Sequence, residues 1–303
     1  MKRLLRVFIG VCFVASACKA PPLSVDELVS KNKEWRFITS LSYVNILSKG
    51  FSYTTASVQT PQGNFINIPV INGVQNTNQD YLGFSLYGRY GLARRVELFS
   101  TVNAYWQNTL STATGSNAYV QSSQGDFNSW NLGVLVVAKK EGKAPALLVG
   151  GSVDVIDKST FAPLNASDSA KSALQYGKGY SFFTTTYYTA DPVVFLLQAS
   201  FGLNLEKQFS GRSANSGEIF SLSPSIYFAV NPYVSLNAGV SYQYRSADSI
   251  NGVRLAPQGS SLGYNFGAAY EVASNVILFG NAQLLETTQY KSASFSLMLS
   301  FKI

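Results

Sequence analysis

The chain has 303 residues and a formal net charge of +7; 13% of its residues are charged and 14% are aromatic, with 18 Tyr and 20 Phe. That charge share is about half the usual one for soluble globular proteins, and no run of about 20 apolar residues follows the N-terminus, which argues against a helical membrane protein. Few charges, many aromatics and a mean hydropathy of only +0.08 fit a transmembrane β-barrel, where alternation hides the membrane face in the average.

Residues 1–17 read as a secretory signal peptide: Lys2, Arg3 and Arg6 are basic, Leu4 to Val14 are apolar, and Ala15-Ser16-Ala17 forms an A-x-A site. Its removal takes three positive charges and no acids, so the mature net charge is 7 − 3, or +4. The rest holds no concentrated basic run, so no nucleic-acid partner is expected. The two cysteines are Cys12 and Cys18. Cys12 falls within the signal and Cys18 directly after the cleavage site, where it is either a lipoprotein acylation site or a chance cysteine; Ala15 stands where a lipobox usually has Leu. No disulfide framework can form.

Residues 18–34 make a short N-terminal segment. Ser24 and Glu27 form an S-x-x-E capping box ahead of Leu28 and Val29, which predicts a helix of two or three turns that needs a docking surface. These four residues are the candidate plug.

From Trp35 to Ile303 the apolar period is two. Twelve strands are expected, at 35–48, 80–90, 96–108, 129–140, 146–156, 179–189, 193–208, 217–230, 233–246, 261–272, 276–287 and 290–303. In the hairpin YLGFSLYGRYGLARRVELFSTVNAYW, the residues Leu82, Phe84, Leu86, Tyr90, Val96, Leu98, Val102 and Trp106 share one face. Trp130, Leu132, Val134, Val136 and Ala138 do the same further on. Strand 179–189 is ambiguous, because Phe182-Phe183 gives both faces an aromatic. Short turns (GLARR, KEGKAP, ADP, NP, ASN) follow the even strands, and long polar connections follow the odd ones up to the last, short one near Thr288-Gln289. A soluble sandwich has no reason to put every long loop at one end, whereas an outer-membrane barrel with both termini in the periplasm does. The fold expected is all-β, a transmembrane antiparallel barrel over 35–303. Residues 293–303 end it on Ala293, Phe295, Leu297, Leu299, Phe301 and Ile303, resembling the C-terminal strand read by the barrel assembly machinery.

If the apolar faces meet lipid, Arg36, Arg89, Glu97, Asp154, Glu206, Arg245 and Glu271 all fall on the opposite face, and Lys302 lies on the last strand. A charge toward lipid near the midplane would cost ~2–4 kcal/mol for Arg or Lys. These residues are the candidate lumen lining. Arg36, Arg89, Glu97, Glu271 and Lys302 fall near the periplasmic end with Arg94 and Arg95, and Asp154, Glu206 and Arg245 near the outer mouth. Catalysis is not expected: the chain has no histidine, which removes a Ser-His-Asp triad and His metal ligands, and no thiolate cluster is available. Asp154 and Asp157 read as a solvated rim. No cofactor is implied.

The helix, the opening "NKEWRF", the turn "RYGLARRVELF" and the repeated strand pairs resemble the outer-membrane transporters grouped under the meta-pathway of phenol degradation and the FilC-like proteins. The resemblance implies uptake of small hydrophobic or aromatic solutes. It extends to the Fap-type export channel for amyloid subunits, which is twelve-stranded, plugged and trimeric, and so implies a homo-oligomer. Only 16 residues separate Cys18 from Trp35 here, too few for that channel's coiled coil. The function expected is a passive outer-membrane channel. The alternatives are export of a fibre-forming polypeptide, or a barrel acting through long surface loops as an adhesin.

Overall fold

The computed structural model describes residues 28–48, 52–59, 65–73, 76–112, 119–161, 171–209, 211–254, 258–287 and 290–303. Twelve antiparallel strands form the wall: β1 (Trp35–Ser48), β2 (Asn76–Ala93), β3 (Val96–Thr112), β4 (Tyr119–Lys139), β5 (Ala146–Phe161), β6 (Gly179–Ala190), β7 (Val193–Asn204), β8 (Ile219–Asn231), β9 (Val234–Arg245), β10 (Gly259–Ala273), β11 (Val276–Glu286) and β12 (Tyr290–Lys302). Each pairs with its neighbours in sequence, and β1 pairs with β12, so the sheet closes. Closure is what the chemistry demands, because an unpaired strand edge in hydrocarbon leaves backbone groups that nothing there can bond. At the seam the Trp35 N–H donates to the Ile303 carbonyl at 3.1 Å and the Ile303 N–H donates to the Trp35 carbonyl at 2.9 Å. Both chain ends of the barrel and the tight turns therefore lie at one end, the turn end; the long connections lie at the other, the loop end.

Every strand read from the sequence has its counterpart, but β2 to β5 rise further than the apolar alternation reaches. The strand expected from 129 begins at Tyr119. Gln121, Ser122, Ser123, Gln124 and Gly125 are exposed on both faces while pairing with β3, as in Thr109↔Ser122. With water on both sides there is no apolar period to read. The loop end also carries a hairpin of residues 52–59 and 65–73, a short strand Lys171–Gln175 laid against Asp157–Phe161, and a small sheet of Lys207–Phe209, Arg212–Asn215, Ser249–Ile250 and Val253–Arg254. The last hairpin turns on Asn251-Gly252, at φ 50 and 76, the left-handed pair that a two-residue turn requires.

The faces sort as elementary solvation requires. Leu82, Phe84, Leu86, Leu98, Val102 and Trp106 point outward. In water this greasy cylinder would be a very large apolar patch; in a bilayer it is the contact with lipid, which the barrel fold implies. Trp35 stacks on Phe37 and meets Tyr90, ring centres 4.6 Å apart, and with exposed Tyr233 and Tyr270 forms an aromatic girdle at the turn end. The ambiguous strand resolves: Phe182 is 55% exposed and Phe183 6%, so Phe183 faces inward. The expected N-terminal helix falls on Ser24 and Glu27, outside the described residues. Leu28 and Val29, expected on it, lie in bends, and residues 31–34 make a turn. The Glu34 N–H closes the turn on the Lys31 carbonyl, and the Lys33 N–H and Glu34 carbonyl bond to Gly91 of the barrel.

A nitroxide placed at Leu98 or Val136 is expected to collide with dissolved oxygen and to be shielded from an aqueous nickel chelate, whereas one at Gln124 should show the reverse. Power-saturation EPR in lipid vesicles measures both, and water accessibility at Leu98 would refute the orientation.

Candidate functional site

The interior of the barrel is the candidate site, and it is built in layers. At the turn end, β2 and β3 carry Arg89 and Glu97 on the inward face, eight positions apart across their hairpin. Arg89 Nε meets Glu97 Oε1 at 2.5 Å with both side chains at 0% exposure. Taking such a pair out of water costs several kcal/mol per ion unless its remaining hydrogen-bonding positions are filled. The chain ahead of β1 fills them. The Ser30 N–H donates to Glu97 Oε2 at 2.5 Å, and Arg89 Nη2 donates to the Leu28 carbonyl at 2.6 Å. The Arg89 guanidinium also lies 5.7 Å from the Tyr87 ring centre, a cation–π distance.

The same segment is tied to the wall by backbone bonds: the Lys33 N–H donates to the Gly91 carbonyl at 2.7 Å, and the Gly91 N–H to the Glu34 carbonyl at 3.1 Å. Gly91 allows this approach, since a β-carbon there would collide with the Lys31 carbonyl. Arg36, 2% exposed, is paired with Glu34 at 2.7 Å. Leu28, 2% exposed, then packs inside a collar of inward apolar side chains that includes Ile38, Phe99, Leu135, Phe183, Leu196 and Met298. Phe99 touches both Tyr87 and Phe183, at 5.7 and 6.0 Å between ring centres. Residues 28–30 thus sit within the turn-end part of the barrel interior, held by the buried ion pair and by the apolar collar around Leu28.

Toward the loop end the inward residues become mostly Ser, Thr, Asn and Gln, with a buried apolar cluster of Val44, Ile46 and Tyr81 on β1 and β2, and then charges return. Asp154 accepts from Asn131 Nδ2 at 2.5 Å. Lys207, beyond the end of β7, pairs with Asp157 and reaches Ser159 at 2.8 Å. Arg245 closes on Asp248 and on the Ser216 carbonyl at 3.2 Å. Burial raises the Asp248 carboxyl above the ordinary range, against the opposing pull of the Arg245 charge.

The candidate residues thus separate. Arg36, Arg89 and Glu97 come together around residues 28–34, and Asp154 and Arg245 take up loop-end positions. Glu271 and Lys302 are half-buried on inward positions at the turn end. Glu206 does not join the wall; it is exposed beyond Asn204, where β7 ends. Ser24 and Glu27 lie outside the described residues, as does Cys18. The sequence did not point to Gly91, nor to the Leu28 and Ser30 backbone as partners of the Arg89–Glu97 pair. A side-chain pattern carries no sign of a bond made by a distant main chain.

No protein-family model matches the chain, and no curated protein matches it. Among solved structures, the COG4313 outer membrane channel from Pseudomonas putida F1 is similar, with a TM-score of 0.62 at 11% identity over 92% of this chain and 98% of that one. The translocator domain of the autotransporter NalP from Neisseria meningitidis has a TM-score of 0.53 at 10% identity, covering 92% of this chain and 91% of that one. The CymD monoaromatic hydrocarbon channel has a TM-score of 0.47 at 9% identity, covering 92% and 90%. At such identities the likeness is one of fold, that of the outer-membrane β-barrel.

Glu97→Gln removes the counter-charge of a buried guanidinium, and a broken buried pair typically costs about 3–5 kcal/mol. The variant is expected to free residues 28–34 while the barrel stays folded. Trypsin would then cut after Lys31 or Lys33 much faster than in the native protein, with the gel shift between boiled and unboiled samples retained.

Proposed function

We propose that the chain is a passive outer-membrane channel for small solutes, narrowed at its periplasmic end by residues 28–30. The single observation that carries this reading is a closed, lipid-facing barrel with a separate segment held in its lumen by polar contacts and not built into the wall. Wall strands cannot leave without exposing ladder bonds to hydrocarbon. Residues 28–30 are bound by one buried ion pair and one leucine collar, which makes them the removable element. Tight turns at one end and long connections at the other support a periplasmic position for both termini, with the last strand, 293–303, engaging the assembly machinery. The apolar collar favours solutes with an apolar or aromatic face, in keeping with the family resemblance, and the chain carries no energy source, so flux follows the gradient.

The purified protein in planar bilayers is expected to give small discrete conductance steps, and deletion of residues 19–30 is expected to enlarge them several-fold. Absence of conductance from both forms would overturn the reading.

A further inference from the structure

The turn end carries its positive charge on one side. The β2–β3 hairpin ends on Arg94 and Arg95, and the β4–β5 hairpin on Lys139, Lys140 and Lys143; all of these are exposed. The two hairpins are neighbours, since the Val137 N–H donates to the Arg95 carbonyl at 2.8 Å. Exposed Lys31 and Lys33 join them, because the bonds to Gly91 hold residues 31–34 against the same end of β2. None of these cations makes an ion pair among the described residues. The acids of this side are engaged elsewhere: Glu34 is paired with Arg36, and Glu141 accepts from the Thr189 N–H and, at 3.0 Å, from its hydroxyl. The remaining tight turns, 190–192, 231–233 and 273–275, carry Asp191 and neither Lys nor Arg.

The wall sets the height of these groups. Trp35, Tyr233 and Tyr270 mark the level where hydrocarbon gives way to headgroups. Across the β4–β5 ladder a bulge leaves out Ala138 and sets Lys139 opposite Leu147, so this lysine shares the outward face with a lipid-facing leucine. Ala93 pairs with Val96 of the outward face just ahead of Arg94, and Leu92 beside it is 53% exposed. Cations and apolar side chains therefore interleave at the edge of the lipid-facing band. A soluble acidic partner would leave the apolar members in water. A bilayer surface takes both kinds, with acyl chains against Leu92 and Leu147 and headgroup phosphates level with the cations. A zwitterionic headgroup brings its own ammonium, whereas an anionic one brings none, and each Lys or Arg near an anionic surface favours it by about fivefold. We infer that this side of the barrel is a docking surface for anionic phospholipid headgroups, gathering phosphodiester lipids such as phosphatidylglycerol around β2 to β5 in the leaflet at the turn end. The inference goes beyond the channel reading and needs only the lipid-facing orientation of the wall.

The test takes Trp35, which lies beside this surface, as its reporter. Trp106→Phe with Trp130→Phe leaves it as the one tryptophan of the chain. The full mature chain is placed in phosphatidylcholine vesicles holding a rising share of brominated phosphatidylglycerol or of brominated phosphatidylethanolamine. Phosphatidylglycerol should quench Trp35 at about a fivefold lower share, and high salt should remove most of the difference. Arg94→Gln, Arg95→Gln, Lys139→Gln, Lys140→Gln and Lys143→Gln together should remove it at low salt, with the gel shift between boiled and unboiled samples retained. Equal quenching by the two lipids at low salt, with these cations in place, overturns the inference. So does a preference that survives both high salt and the substitutions. Salt-sensitive sedimentation with peptidoglycan sacculi in place of a lipid preference overturns it too, and assigns the surface to an acidic wall polymer.

Discussion

Everything in this molecule follows from the obligation of the backbone to satisfy its own hydrogen bonds where water is absent. A strand in hydrocarbon must be paired on both sides, so the sheet must close, and it does so where Trp35 and Ile303 exchange bonds. Closure divides the side chains into two populations with opposite solvents. The outward set is Leu, Phe, Tyr, Trp and Val; the inward set holds nearly all the Ser, Asn, Gln and charge on the wall. Because successive side chains point to opposite faces, a single alternation pattern serves both.

Closure also creates an interior too narrow to be treated as bulk water, and this gives the Arg89–Glu97 pair its significance. At 0% exposure the pair bears the full desolvation cost of two ions, and their mutual attraction offsets it only when the remaining donors and acceptors are used. Here the backbone of residues 28–30 uses them. The ion pair and the segment ahead of β1 therefore support each other: the charges need the carbonyl and amide groups of residues 28–30, and the segment is otherwise tied to the wall by the backbone bonds of Lys33 and Glu34 to Gly91. Leu28 adds an apolar contact, so the segment is held by a directional and a non-directional interaction, both confined to the turn end. Above it the inward residues from β6 to β10 are mostly neutral hydroxyls and amides, β1 and β2 turn Val44, Ile46 and Tyr81 inward, and ion pairs among the described residues recur toward the loop end.

What the sequence determined by itself was the wall. Twelve strands, their phase, the sidedness of the connections and the inward placement of Arg89 and Glu97 were all legible, because a lipid-facing wall repeats a one-dimensional signal of period two. Legibility stopped where that signal stops. The upper part of β4 around Gln121 to Gly125 has water on both faces and no alternation to read. Phe182-Phe183 could not be assigned a side until the ladder to Phe201 and Gly150 set the phase. The S-x-x-E box and the apolar pair behind it argued for a helix reaching Leu28 and Val29, yet those residues bend, since Glu97, Arg89 and Gly91 offer their main chain bonds that a short helix cannot match. Only the tertiary structure decided that Leu28 sits in a collar drawn from distant strands and that Glu206 lies off the wall. These are properties of barrel closure and strand register, which bring together residues far apart in the chain, and no local pattern encodes them.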